Sequence, residues 1–149
     1  MANPKEMTKR QRDRRAQYLF VAGHAIEACR LQHDRISTGK SVPRHDLDFY
    51  VMAQYRLHEI ARMVANRCGE QGAKDADDAF LSEIPGLEEI RDWWVHPPDP
   101  RKLGHVAWFI DDIARLLPGG NVEFLVDRER AQPAAERLYE RLRLILSDS

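Results

Sequence analysis

YLFVAGHAIEACRLQHDRISTG, residues 18–39, and YVMAQYRLHEIARMVANRCG, residues 50–69, both place an apolar residue at every third or fourth position. At about 100° per residue, Leu19, Ala22, Ile26, Cys29, His33 and Ile36 share one stripe of the first stretch, and Tyr50, Ala53, Leu57, Ile60 and Val64 share one stripe of the second. Ser37-Thr38-Gly39 interrupts the first pattern, Pro43 restarts the chain, and Gly69 after Cys68 is a natural C-terminal stop for the second. Both seams are narrow and nearly heptad-like. They predict two helices packed side by side as an antiparallel hairpin at the shallow angle favoured in bundles.

Outward from this hairpin, Gly69 to Lys74 reads as a loop, and Asp75 to Ser82 as a short helix presenting Ala76, Ala79 and Phe80. Ile84-Pro85-Gly86 breaks it. Proline suits a first helical turn, so Pro85 opens a further helix with Glu88 and Glu89 at the positive end of its macrodipole. Pro97-Pro98-Asp99-Pro100 stops that helix and leaves His96 at or near its C-terminus. Val106 to Asp127 supports two patterns. Val106, Ile110, Ile113 and Leu117 fit a helical face, whereas Pro118-Gly119-Gly120-Asn121 before Val122 to Val126 reads as a turn and a strand. A lone strand leaves half its backbone groups unpaired. The expectation is therefore a small β-hairpin near 113–127, extended by residues 107–110 as a third strand. Pro133 to Leu146 returns to helix, with Ala135, Leu138, Leu142 and Ile145 inward. In the first 15 residues six cations face two carboxylates, which reads as a basic, frayed arm ahead of a single, mainly α domain over 16–149.

A chain of 149 residues is long enough to bury roughly 68–70% of its unfolded surface in one domain. The charged fraction of 32% exceeds the usual ~25%, in keeping with solvated helix faces. A net charge of −1 provides no global positive field to drive the chain onto nucleic acid, so such binding needs a local patch. Tyr18 to Ala22 is too short for a signal-peptide core, and no uncharged run approaches the ~18–20 residues of a membrane span. Two isolated thiols, Cys29 and Cys68, suit a reducing compartment. The expectation is a soluble, cytoplasmic protein without a membrane partner.

Spacing sets aside several chemistries. Gly119-Gly120 lacks the lysine or serine of a phosphate loop. His58-Glu59 begins like a zinc-protease helix, but the residue four after His58 is Arg62, and no histidine has a glutamate three residues before it. Neither a metal nor another cofactor is expected. Cys68 reads as a half-buried helix-end thiol, and His33, with His24 beside it, as a packed, hydrogen-bonded histidine. Trp94 shares a face with Leu87 and Ile90, while Trp93 projects about 100° away as a candidate interface residue.

The segment left is Arg91-Asp92-Trp93-Trp94-Val95-His96. Asp92 and His96 are one turn apart on one stripe, so the carboxylate can orient the imidazole, while Arg91 lies some 140° from His96. One helix cannot easily aim both at one phosphate. Two copies across a two-fold axis can bring Arg91 and Asp92 of one subunit near His96 of the other. An arginine, a polar residue, three more residues and a histidine at a helix end resemble the R-x4-6-H signature of the HEPN superfamily (higher eukaryotes and prokaryotes nucleotide-binding). The resemblance covers this hexapeptide strictly and the helical order of 16–96 loosely. It implies a bundle that dimerises through the motif helices and, in active members, a metal-independent endoribonuclease of toxin or defence type, with an RNA substrate and a protein partner such as an antitoxin. It also implies the catalytic roles: Arg91 steadies the scissile phosphate, Asp92 fills the polar position, and His96 moves protons at the 2′-hydroxyl. The competing readings are a non-catalytic dimeric binding or regulatory module, and a purely structural role in which Arg91 pairs with Glu88 or Asp92 and His96 caps its helix, worth about 0.3–1 kcal/mol.

Overall fold

The computed structural model describes residues 6–38, 44–95, 106–110, 113–117 and 124–147. The described chain is mainly helical: α1 (Lys9–Thr38), α2 (Arg44–Arg67), α3 (Gln71–Glu83), α4 (Leu87–Val95) and α5 (Arg128–Ser147), with strands β1 (Val106–Ile110), β2 (Ile113–Leu117) and β3 (Phe124–Asp127) ahead of α5. The strands are antiparallel in the order β1-β2-β3, with Ile110 opposite Ile113 and Leu116 opposite Phe124. The Gly119-Gly120 turn, on which the expected hairpin depends, lies outside the described residues.

Ion pairs fix how the helices run. Arg35 near the end of α1 meets Asp46 near the start of α2 at 3.3 Å, while Arg14 donates to the Arg67 carbonyl at the far end, so the two helices are antiparallel. Arg30 holds Glu136 in a two-pronged pair at 2.7 and 2.8 Å, and Arg15 reaches the Ile145 carbonyl, so α5 runs back along α1. The seams form the core. Ala22, Ile26, Cys29, Tyr50, Leu57, Ile60 and Val64 are buried, and Phe80, Leu138 and Leu142 close on them from α3 and α5. Ile145 is partly buried against the same core.

Several boundaries differ from the sequence expectation. The basic stretch is the start of a helix, and α1 begins within it at Lys9, where Thr8 and Gln11 form a reciprocal capping box: the Thr8 N–H donates to Gln11 Oε1 at 2.8 Å, and the Gln11 N–H to Thr8 Oγ1 at 3.2 Å. Within that stretch Arg15 is buried, with its guanidinium on Glu70 at 2.8 Å. Gly69, at φ 65°, ends α2 in the left-handed region, and the Glu70 N–H closes back onto the Ala65 carbonyl. Helix α3 then starts at Gln71 and takes up most of the expected loop. Its inward residues are Ala73, Asp77 and Phe80, whereas Ala79 is exposed. Helix α5 starts at Arg128, five residues before Pro133, because Asp127 accepts the Glu129 N–H at 3.0 Å as an N-cap. Pro133, near that end of the helix, has no N–H to offer the carbonyl of exposed Glu129 one turn earlier.

The Arg30–Glu136 pair gives this fold a predictable acid response. Hydrogen bonding from Arg30 holds the Glu136 carboxyl below its ordinary range. A lowered folded-state value contributes stability that is fully present above the ordinary carboxyl range and is lost as pH falls through the lowered value. Urea unfolding of Glu136→Gln against the parent protein should show a stability difference near neutrality that shrinks below about pH 4.5. A difference independent of pH would exclude this linkage.

Candidate functional site

Arg91 and Asp92 lie on the last turns of α4. The Arg91 guanidinium sits over the Tyr55 ring of α2, 4.2 Å from its centroid, and its Nη2 reaches Glu59 at 3.7 Å. Its Nη1 donates to Asp92 Oδ1 at 2.6 Å, and its Nε is buried with no hydrogen-bond partner among the described residues. The Arg91 side chain is 21% exposed and that of Asp92 53%, so the pair faces outward from a fixed base. Asp92, as hydrogen-bond acceptor and charge partner, pushes the Arg91 pKa further above its ordinary value. Burial raises the Tyr55 phenol, and the nearby guanidinium opposes that rise. Of the two carboxylates offered to Arg91 by the structural reading, Asp92 is used. Glu59 of α2 takes the place expected of Glu88.

His96 lies outside the described residues, and so do the side chains of Trp93 and Trp94, whose backbone belongs to α4. The structure therefore brings together two of the three expected catalytic residues, Arg91 and Asp92, and describes no relation of either to His96.

Next to Arg91 is a cluster that sequence reasoning missed. His58 of α2 is buried, with Nδ1 2.9 Å from both carboxylate oxygens of Asp77 and Nε2 3.2 Å from Glu88 Oε1. Arg62, one turn along α2, places Nε 2.6 Å from Asp77 and Nη2 2.7 Å from Asp78. The same His58 ring tilts against Tyr55 at 5.2 Å. Tyr55, His58, Glu59 and Arg62 recur at helical spacing beside the apolar seam of α2, and that polar stripe was the available signal. The acids that answer it come from α3 and α4, and spacing within one helix cannot name them.

Elsewhere, the Arg128 guanidinium lies 2.7 Å from His33 Nδ1, a hydrogen-bonded histidine on a half-buried side chain. His24 is not packed inside as expected but exposed, edge-on to Phe20 at 4.6 Å. No group of three or more His, Cys, Asp or Glu among the described residues is placed to hold a metal ion, and no helix among them is long and apolar enough to cross a membrane. No family model, curated protein or solved structure matches the chain.

Both thiols are poor nucleophiles because burial disfavours the thiolate. Burial, with Glu136 adding to it, pushes the Cys29 thiol up to about 12, and burial also raises that of half-buried Cys68. Iodoacetamide at about pH 8 should add slowly to Cys68 alone in the native protein and to Cys29 only after unfolding, as read by peptide mass mapping. Alkylation of native Cys29 would contradict its placement in the core.

Proposed function

We propose that the chain is a HEPN-like helical module with a small C-terminal β-hairpin, that it pairs with a second copy through α4, and that it cleaves RNA without a metal ion. The observation that carries this reading is the seating of Arg91. Tyr55 and Glu59 fix the guanidinium before any ligand arrives, and its outer edge is occupied by the exposed carboxylate of its own neighbour, Asp92. A phosphate presents the same acceptor geometry as that carboxylate and can take its place on the Nη edge. A cation held in place in advance stabilises developing charge without reorganising during the reaction.

In this reading the RNA 2′-hydroxyl attacks the adjacent phosphorus. The bond to the 5′-oxygen breaks, and His96 takes the proton from the attacking hydroxyl or supplies one to the leaving oxygen. The products are a cyclic phosphate and a free 5′-hydroxyl. The second copy would supply the missing geometry, because helical spacing alone sets positions 91 and 96 about 140° apart.

A specific observation favours a second reading, a non-catalytic dimeric binding or regulatory module. Glu59, Glu88, Asp77, Asp78 and Asp92 surround Arg91, Arg62 and His58, so the site carries little positive potential to draw RNA.

Incubation of single-stranded RNA with the purified protein in chelator separates the two. The catalytic reading expects fragments ending in cyclic phosphate, their loss in His96→Ala, and a fall of about a hundredfold or more in Arg91→Ala with the helical circular dichroism retained. Intact RNA, or cleavage that survives His96→Ala, sinks it. Light scattering should give twice the mass of one chain, whereas a monomer at tens of micromolar removes the route by which Arg91 and His96 share a phosphate.

A further inference from the structure

On the side of the hairpin turned away from α5, the facing surfaces of α1 and α2 form an open groove of about 810 Å³. Its floor is small and apolar, with Ala25, Ala28 and Ala53 flanked by Val21, Met52 and Met63. Helical spacing continues the stripe to Leu31 on α1 and Phe49 on α2, which are 58% and 59% exposed. Ala25 and Ala53 also pack in the hairpin core, whereas Val21, Ala28, Leu31, Phe49 and Met52 are exposed apolar residues that the core leaves uncovered. The charge of the lining is one-sided. Arg14, Arg56 and Arg67 line the groove and no carboxylate does. Arg14 and Arg67 make no ion pair among the described residues, and Arg56 reaches only Glu59, at 3.7 Å. Arg10, exposed one turn before Arg14 on the same side of α1, extends the basic rim at that end.

We propose that this groove docks an acidic amphipathic helix of a partner protein. From Arg14 to Ala28 the groove runs roughly 20 Å along α1, the length of about four helical turns. An apolar stripe on such a helix meets the alanine and methionine floor, and flanking carboxylates meet the three guanidinia. A second copy of the chain fits less well, because a two-fold contact sets the same carboxylate-free lining against itself. RNA would answer the arginines and leave the apolar floor uncovered. The inference does not depend on the catalytic reading, since Arg91 and Asp92 do not line the groove.

The probe is a fluorescent helical peptide of about 16 residues, with leucine at every third or fourth position and glutamate at the others, compared with the same peptide carrying lysine for glutamate. Fluorescence anisotropy should show the glutamate peptide binding at least tenfold tighter, and Arg56→Glu combined with Arg67→Glu should reverse the preference. Both residues are exposed, so the fold survives the change. Amide resonances of Val21, Ala28 and Met52 should shift on titration with the glutamate peptide. Met52→Glu should weaken binding of the glutamate peptide at least tenfold, and the charge reversal stands as the test if that variant misfolds. Equal binding of the two peptides overturns the proposal. So does loss of single-stranded RNA binding, rather than peptide binding, in the charge-reversed protein. Dissociation of a dimer by Met52→Glu would make the groove a self-interface and overturn it equally.

Discussion

A carboxylate with no exposed surface is tolerated only where its charge is answered, and Asp77 is answered twice from one helix, by His58 and by Arg62. That pairing fixes α3 against α2. Through the other nitrogen of His58 it extends to Glu88 on α4, so one imidazole touches acids from both following helices. The short α4 has only nine residues, too few to hold a helix by hydrogen bonding alone. Its place on α2 depends on buried Leu87 and Ile90 and on two polar contacts, His58–Glu88 and Arg91–Glu59. The position of the candidate site therefore follows from the way Asp77 is neutralised.

Helix α2 divides its surface accordingly. Tyr50, Leu57, Ala61 and Val64 face the core, Tyr55, His58, Glu59 and Arg62 face α3 and α4, and Met52, Arg56, Met63 and Arg67 line the open groove. The three stripes explain why the helix tolerates so much charge beside so regular an apolar seam. They also place the Arg91 site and the groove on adjacent faces, with Glu59 meeting both Arg91 and Arg56.

The apolar period alone was enough to locate α1 and α2, because Ile26, Cys29, Leu57 and Val64 do nothing but pack. It failed where a polar group took an inward position. At α3 the period pointed to Phe80, which is buried, and to Ala79, which is not; Asp77 takes an inward place beside Phe80, since its partners on α2 make burial of a charge cheaper than any reading of that segment alone suggests. The ends of helices were lost for a related reason. The Thr8–Gln11 box and the Asp127 cap start α1 and α5 earlier than the apolar pattern does, because a cap is a local hydrogen bond that leaves no trace in the periodicity. For the site, Arg91 and Asp92 were visible as a pair next to a helix break. Tyr55 and Glu59, which hold Arg91, were not, because they lie more than thirty residues earlier in the chain and only folding brings them together.

The dependence of the α2, α3 and α4 arrangement on the buried acid is tested most directly by a double-mutant cycle of His58→Ala and Asp77→Ala, with unfolding free energies from urea titration. Each single change strands the partner of a buried pair, so the account predicts strong non-additivity, a coupling of about 1–3 kcal/mol. Two losses that add to within about 0.3–0.5 kcal/mol would mean that the pair is not what holds these helices together.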